Sequence, residues 1–177
     1  MPHLPPVLVL GLGNDILSDD AIGLQIVTEV RRQLADAPSI EVKATTEMGL
    51  ALLDEIVDRE CLVLVDSVQT GKFPPGHIHE LGAEELRTVF TTSPHFLGVG
   101  ETLRLAAQLG LAAPRHIRIF AVEVADPHTL STQLTPAVAG ALAPAVARVA
   151  AQARAYAELP RVDRSPVAVK PAASPGD

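Results

Sequence analysis

The sequence predicts an α/β sandwich, with helices on both faces of a largely parallel sheet. Three observations carry that prediction. Two runs, Val7–Leu10 and Cys61–Val65, are apolar at every position, as in strands buried on both faces. Segments with apolar residues three and four apart alternate with such runs along the chain. Glycines and carboxylates stand where the apolar runs end, and ligands of parallel sheets sit at the carboxyl ends of strands.

The elements follow in order. After Val7–Leu10, Gly11 and Gly13 allow a tight turn or close approach to the backbone. From Asp20, residues Ile22, Ile26, Val27, Val30 and Leu34 fall at helical spacing. Ser18 or Asp19 is placed to cap this helix, and Pro38 ends it. Ser39–Ala44 alternates apolar and polar and reads as a second strand, and Leu50–Val57 as a helix. Cys61–Val65 is a third strand with Asp66 at its carboxyl end. A turn with Gly71, Pro74, Pro75 and Gly76 leads to a short strand at Ile78–Leu81, and Glu84–Phe90 suggests a helical turn. Ser93 as N-cap, Pro94 at N1 and His95 at N2 open a helix to Leu109. Ile117–Val124 is a strand. Thr135 and Pro136 open an Ala- and Val-rich helix to Glu158, which Pro144 should kink or divide. Residues 1–159 read as a single α/β domain, and the Pro-rich residues 160–177 as a disordered tail.

Composition removes several classes of function. The chain has 177 residues and is 47% hydrophobic but 3% aromatic, without Trp, so its core must be mainly Leu, Val, Ala and Ile. A net charge of -7 argues against a nucleic-acid partner, whose phosphates need a basic face. No apolar run approaches the ~20 residues of a membrane span, and the first residues lack the basic start of a signal peptide. The single cysteine, Cys61, forms no internal disulfide, which fits a reducing cytoplasm.

Asp20 follows the first strand and Asp66 ends the third, so the two carboxylates meet on one rim if those strands are neighbours. Read singly, Asp20 is also a helix-terminus acid, Asp66 a solvated strand end and His95 a surface residue. At N2 the helix dipole disfavours imidazolium, leaving His95 the neutral ring that a metal requires. Two carboxylates and one imidazole make a mixed set suited to zinc, nickel, manganese or iron, with positions open for substrate or water. The Gly11-Leu12-Gly13 turn is no dinucleotide fingerprint, because Ile16 stands where the last glycine belongs, and no organic cofactor is expected. His77 and His79 share one face of a strand and read as exposed polar residues on an edge. Cys61 reads as a small core residue.

The motif Gly-x-Gly-Asn-x-x-x-x-Asp-Asp ending at Asp20, the strand LVLVDSV, the loop TTSPHFLG and a terminal Leu-Thr-Pro helix resemble the nickel-iron hydrogenase maturation endopeptidases. The resemblance covers residues 7 to 156. It implies a three-layer fold with a twisted, mixed sheet between helices. It implies an endopeptidase that removes a short C-terminal extension from the hydrogenase large-subunit precursor after nickel insertion. It makes Asp20, Asp66 and His95 the catalytic and metal-contacting residues, with nickel transient and supplied by the precursor. Gly13, Asn14, Asp19, Glu47 and Gly49 are then substrate-side residues of second rank. Some members carry a Gly-rich stretch with Thr before the second helix, where this chain has Ala44-Thr45-Thr46-Glu47-Met48-Gly49. Metal-activated water and an aspartate base both remain open as the route of hydrolysis. Two other readings use the same residues or fold: a nickel-dependent assembly protein that grips the precursor without cutting, and a nucleotide or nucleoside hydrolase.

Overall fold

The computed structural model describes residues 4–87 and 94–160, with backbone alone for 86, 87 and 94–97. The elements are β1 (Val7–Leu12), α1 (Ile22–Gln33), β2 (Ile40–Thr45), α2 (Leu53–Ile56), β3 (Cys61–Val68), β4 (Ile78–Gly82), α3 (Pro94–Gln108), β5 (His116–Glu123) and α4 (Pro136–Ala157). Short 3-10 turns lie at Asp19–Ala21, Gly49–Leu52 and Ala83–Arg87. The strand order is β2-β1-β3-β5-β4. The first four of these are mutually parallel, and β4 joins β5 antiparallel at the edge, so the sheet is mixed as expected.

Alternation along each strand divides the core into two layers. Val7 and Val9, Val63 and Val65, and Phe120 and Val122 face α1 and α4 with Ile22, Ile26, Val149 and Ala153. Leu8, Leu10 and Leu12, Leu62 and Leu64, and Ile119 face the other way, against Leu52, Ile56 and Val99 of α2, α3 and the turn before α2. Each of the Val, Leu, Ile and Phe side chains among these stabilises the fold by about 1.5–3 kcal/mol on burial, which is how a core without Trp suffices. Cys61 is a buried member of the first layer.

One contact decides where α1 begins. A Cβ on Gly23 would lie 2.2 Å from the Leu12 carbonyl oxygen and 2.7 Å from that of Val65. Only glycine lets the first turn of α1 rest directly on the ends of β1 and β3, and this brings Asp20 against β3.

Several expectations are corrected. β3 continues through Asp66 to Val68, because Asp66, Ser67 and Val68 pair with Ala121, Val122 and Glu123 of β5. Asp66 is therefore inside a ladder and fully buried, not a strand end. Neither Ser18 nor Asp19 caps the first helix, since both side chains turn to the loop before α4. The expected helix at Leu50–Val57 is a 3-10 turn followed by the short α2. α4 runs unbroken through Pro144, which lies exposed while Ala145, Val146 and Val149 beyond it pack in the core. The expected N-cap Ser93, the end of the Glu84–Phe90 turn and the tail beyond Pro160 lie outside the described residues.

Candidate functional site

β1 and β3 are neighbours, so the two expected carboxylates do reach one rim. Both are bonded by Ser67. The Ser67 hydroxyl donates to Asp20 Oδ1 at 2.5 Å, and its backbone N–H donates to Asp66 Oδ1 at 2.8 Å. Asp66 is fully buried and Asp20 partly exposed. The turn before them shapes the same place. Gly13 has φ 146°, and a Cβ there would lie 2.2 Å from the Asp20 carbonyl oxygen. The Asn14 N–H donates to that oxygen at 3.3 Å, while Asn14 Oδ1 accepts from the Ile16 N–H at 3.2 Å. Gly13 and Asn14 thus hold the backbone of Asp20.

The alternation of β3 places Asp66 on the face with Leu62 and Leu64, which α3 helps to cover through Val99. His95 is the second residue of α3, as expected, but its side chain lies outside the described residues. α3 is anchored beside the rim by the loop after β2. Thr102 Oγ1 donates to the Gly49 and Gly98 carbonyl oxygens, both at 2.9 Å, and a Cβ on Gly98 would stand 3.0 Å from Gly49 N. Gly49, at φ 63°, therefore positions the helix that bears His95. Glu47 is exposed, and its backbone N–H is bound by Thr45 Oγ1 at 3.0 Å. Among the described residues, no three His, Cys, Asp or Glu side chains form a metal-ligand group.

Asp19 is fully buried and clips two loops together. Its Oδ2 accepts from the N–H groups of Ala125 (3.1 Å) and Asp126 (2.9 Å) and from Thr135 Oγ1 (2.9 Å). Its Oδ1 accepts from the Thr135 N–H at 2.7 Å. Thr135 is the N-cap of α4, yet its hydroxyl serves Asp19 in place of its own helix.

A third buried carboxylate stands at this rim, and no motif in the sequence marks it. Glu123 ends β5, and its oxygens accept from the N–H groups of Thr70 (2.7 Å) and Gly71 (2.8 Å) and from Thr70 Oγ1 (2.8 Å). His79 Nε2 lies 3.0 Å from Oε2. β4 is an edge strand as expected, but His79 is buried on this carboxylate and not exposed, whereas His77 is exposed. Phe73 stacks on the His77 ring at 4.5 Å.

Burial pushes the Glu123 carboxyl upward, but the bonds from Thr70, His79 and Gly71 outweigh it and hold the group below its ordinary value. The carboxyl thus titrates lower folded than unfolded, where the value is about 4.3. Its stabilisation is complete above that value and is lost as pH falls through the folded one. Glu123→Gln is therefore expected to melt below the wild type at neutral pH, with the gap closing in acid. Thermal melts from about pH 7 to about pH 3 check this, and a gap constant with pH would contradict it.

A family model described as HycI, hydrogenase maturation protease, matches residues 24–152. That span includes Asp66 and His95 but not Asp20. The chain is similar to the hydrogenase 2 maturation protease of Escherichia coli (strain K12), at 32% identity over 152 residues, covering 84% of this chain and 90% of that one. Its structure is similar to the hydrogenase maturating endopeptidase HybD from E. coli, with a TM-score of 0.73 over 85% of this chain and 93% of that one, at 32% identity. The fold alone is shared with the [NiFe] hydrogenase maturation protease HybD from Thermococcus kodakarensis, at TM-score 0.64 and 24% identity, covering 83% of this chain and 98% of that one.

Proposed function

The chain belongs to the hydrogenase maturation protease family, and from that premise we propose that it removes a C-terminal extension from the nickel-loaded large-subunit precursor of a nickel-iron hydrogenase. The observation that carries the reading is the placing of Asp20 and Asp66 at one rim, where the Ser67 hydroxyl bonds the first and the Ser67 N–H the second. Two carboxylates on one rim attract a cation and suit hard or borderline metals. Nickel arrives as part of the substrate and serves as the recognition element. Asp20 and Asp66 are the groups that would contact it, with His95 as the third. A divalent cation at such a site polarises the carbonyl or water it touches. Ser67 fixes Asp20 by donating to one of its oxygens, and the buried Asp66 contributes a second, less hydrated charge. Asp20, the more exposed carboxylate, would take the proton of the attacking water as the C–O bond forms and return it to the amine that leaves as the C–N bond breaks.

The test is the intact mass of a cognate large-subunit precursor incubated with the protein, with and without nickel in the precursor. Loss of a C-terminal peptide from the nickel-loaded form alone is the expected result. Tight binding without cleavage would replace this reading with that of an assembly protein. Cleavage of both forms alike would remove nickel as the recognition element.

A further inference from the structure

Two loops at the carboxylate rim expose large apolar side chains while being held rigidly by buried carboxylates. The first is a short ribbon between the β1–α1 and β5–α4 connections. Leu17 and Leu130 form an antiparallel bridge, Ser18 N–H donates to the Thr129 carbonyl oxygen at 2.9 Å, and Ser131 N–H donates to that of Ile16 at 3.1 Å. Ile16 is 57% exposed and Leu130 75%. The Asp19 clip closes this ribbon from beneath. The second is the β3–β4 loop, where Phe73 is 45% exposed. The Glu123 carboxylate holds Thr70 and Gly71 of this loop, and Phe73 rests on the rings of His77 and His79.

We infer that these two pinned loops, presenting Ile16 with Leu130 and Phe73 with His77, are the surface on which the precursor protein docks, an inference that rests on the protease reading above. Four arguments converge on that occupant. The ribbon leads directly through Ser18 and Asp19 into Asp20, and the second loop leaves β3 just beyond Asp66, so both border the candidate site. Both holding carboxylates act through one stretch of backbone, Glu123 to Asp126, which fixes the spacing of the two loops. Loops pinned in this way keep their apolar side chains in water and lose little freedom when a partner covers them, which favours association. The charge between them complements the substrate, since a nickel-bearing protein brings a cation to the carboxylates while its apolar surface meets the loops on either side. Other exposed leucines, such as Leu109 and Leu159, follow the carboxyl ends of α3 and α4, away from the carboxyl ends of the strands, and provide controls.

The experiment compares the wild type with an Ile16→Ser/Leu130→Ser double variant, Phe73→Ser and the control Leu109→Ser. Cleavage of the nickel-loaded precursor gives KM and kcat, and binding is measured separately on the same proteins with a nickel-loaded precursor whose scissile residue is changed so that it is not cut. The rim variants are expected to raise KM and Kd at least about tenfold while kcat changes far less, and Leu109→Ser to leave both unchanged. Melting curves check that each variant folds, and if the double variant does not, Phe73→Ser decides. Rim variants with KM and Kd within twofold of the parent would overturn the docking surface and leave the protease reading standing. Precursor binding that depends on the rim, with no cleavage by the wild type, would overturn the protease reading and leave the docking surface. A wild type that neither binds nor cuts the precursor overturns both.

Discussion

Asp66→Asn is expected to abolish precursor processing, lowering turnover by about a thousandfold or more, the scale on which loss of a group at the reacting centre acts. The substitution is nearly isosteric, and its remaining carbonyl oxygen can still accept the Ser67 N–H that now binds Asp66 at 2.8 Å. What it removes is the charge of a wholly buried carboxylate, where water screens least and a cation is held most strongly. The variant should therefore melt close to the wild type and remain uncleaving. Intact-mass kinetics on the nickel-loaded precursor, paired with a melting curve, check both halves. Turnover within tenfold of the wild type would mean that Asp66 supports the strand rather than the reaction.

Asp19→Ala is expected to cause the largest loss of stability among substitutions at the rim, about 3–5 kcal/mol. Four donors lose their acceptor together: the N–H groups of Ala125, Asp126 and Thr135 and the Thr135 hydroxyl. They belong to the exit of β5 and the start of α4, which Asp19 ties to the start of the first helix. For a chain of this size the change corresponds to a fall in Tm of about 10 °C. Asp19→Asn keeps one carbonyl acceptor and should lose less. A melting point within about two degrees of the wild type for Asp19→Ala would show that water satisfies these donors and that the clip is dispensable.

The layers of the fold were legible because the strands bury both faces and so carry unbroken apolar runs. Asp20 and Asp66 were legible as carboxylates after such runs, and the pairing of β1 with β3 brought them together. The partner that links them, Ser67, left no signal beyond following Asp66. Asp19 matched the local pattern of a helix cap, and only the folded chain reveals partners more than a hundred residues away. Glu123 in a strand suggests a solvent-facing charge, yet it is buried because a loop from elsewhere supplies its donors. Arg59 is similar. It is 1% exposed, satisfied by the carbonyl oxygens of Pro5 and Glu55 and by Glu41, and backbone acceptors carry no sequence signature. Pro144 shows the reverse case, a strong local signal against a helix outweighed by the packing of residues on its far side.

The position of β4 has a consequence for the order in which the molecule assembles. β4 precedes β5 in the chain and pairs with it among the described residues, and the whole of α3 lies between the two. The connection from β4 to β5 is nevertheless shorter than the one from β3 to β5, so closing it costs less entropy, and the antiparallel edge pair can form before β5 adds to β3. The same register brings His79 beside Glu123. The edge of the sheet is therefore the more local unit of assembly, and the joining of β5 to β3 is the step that has the longer loop to close.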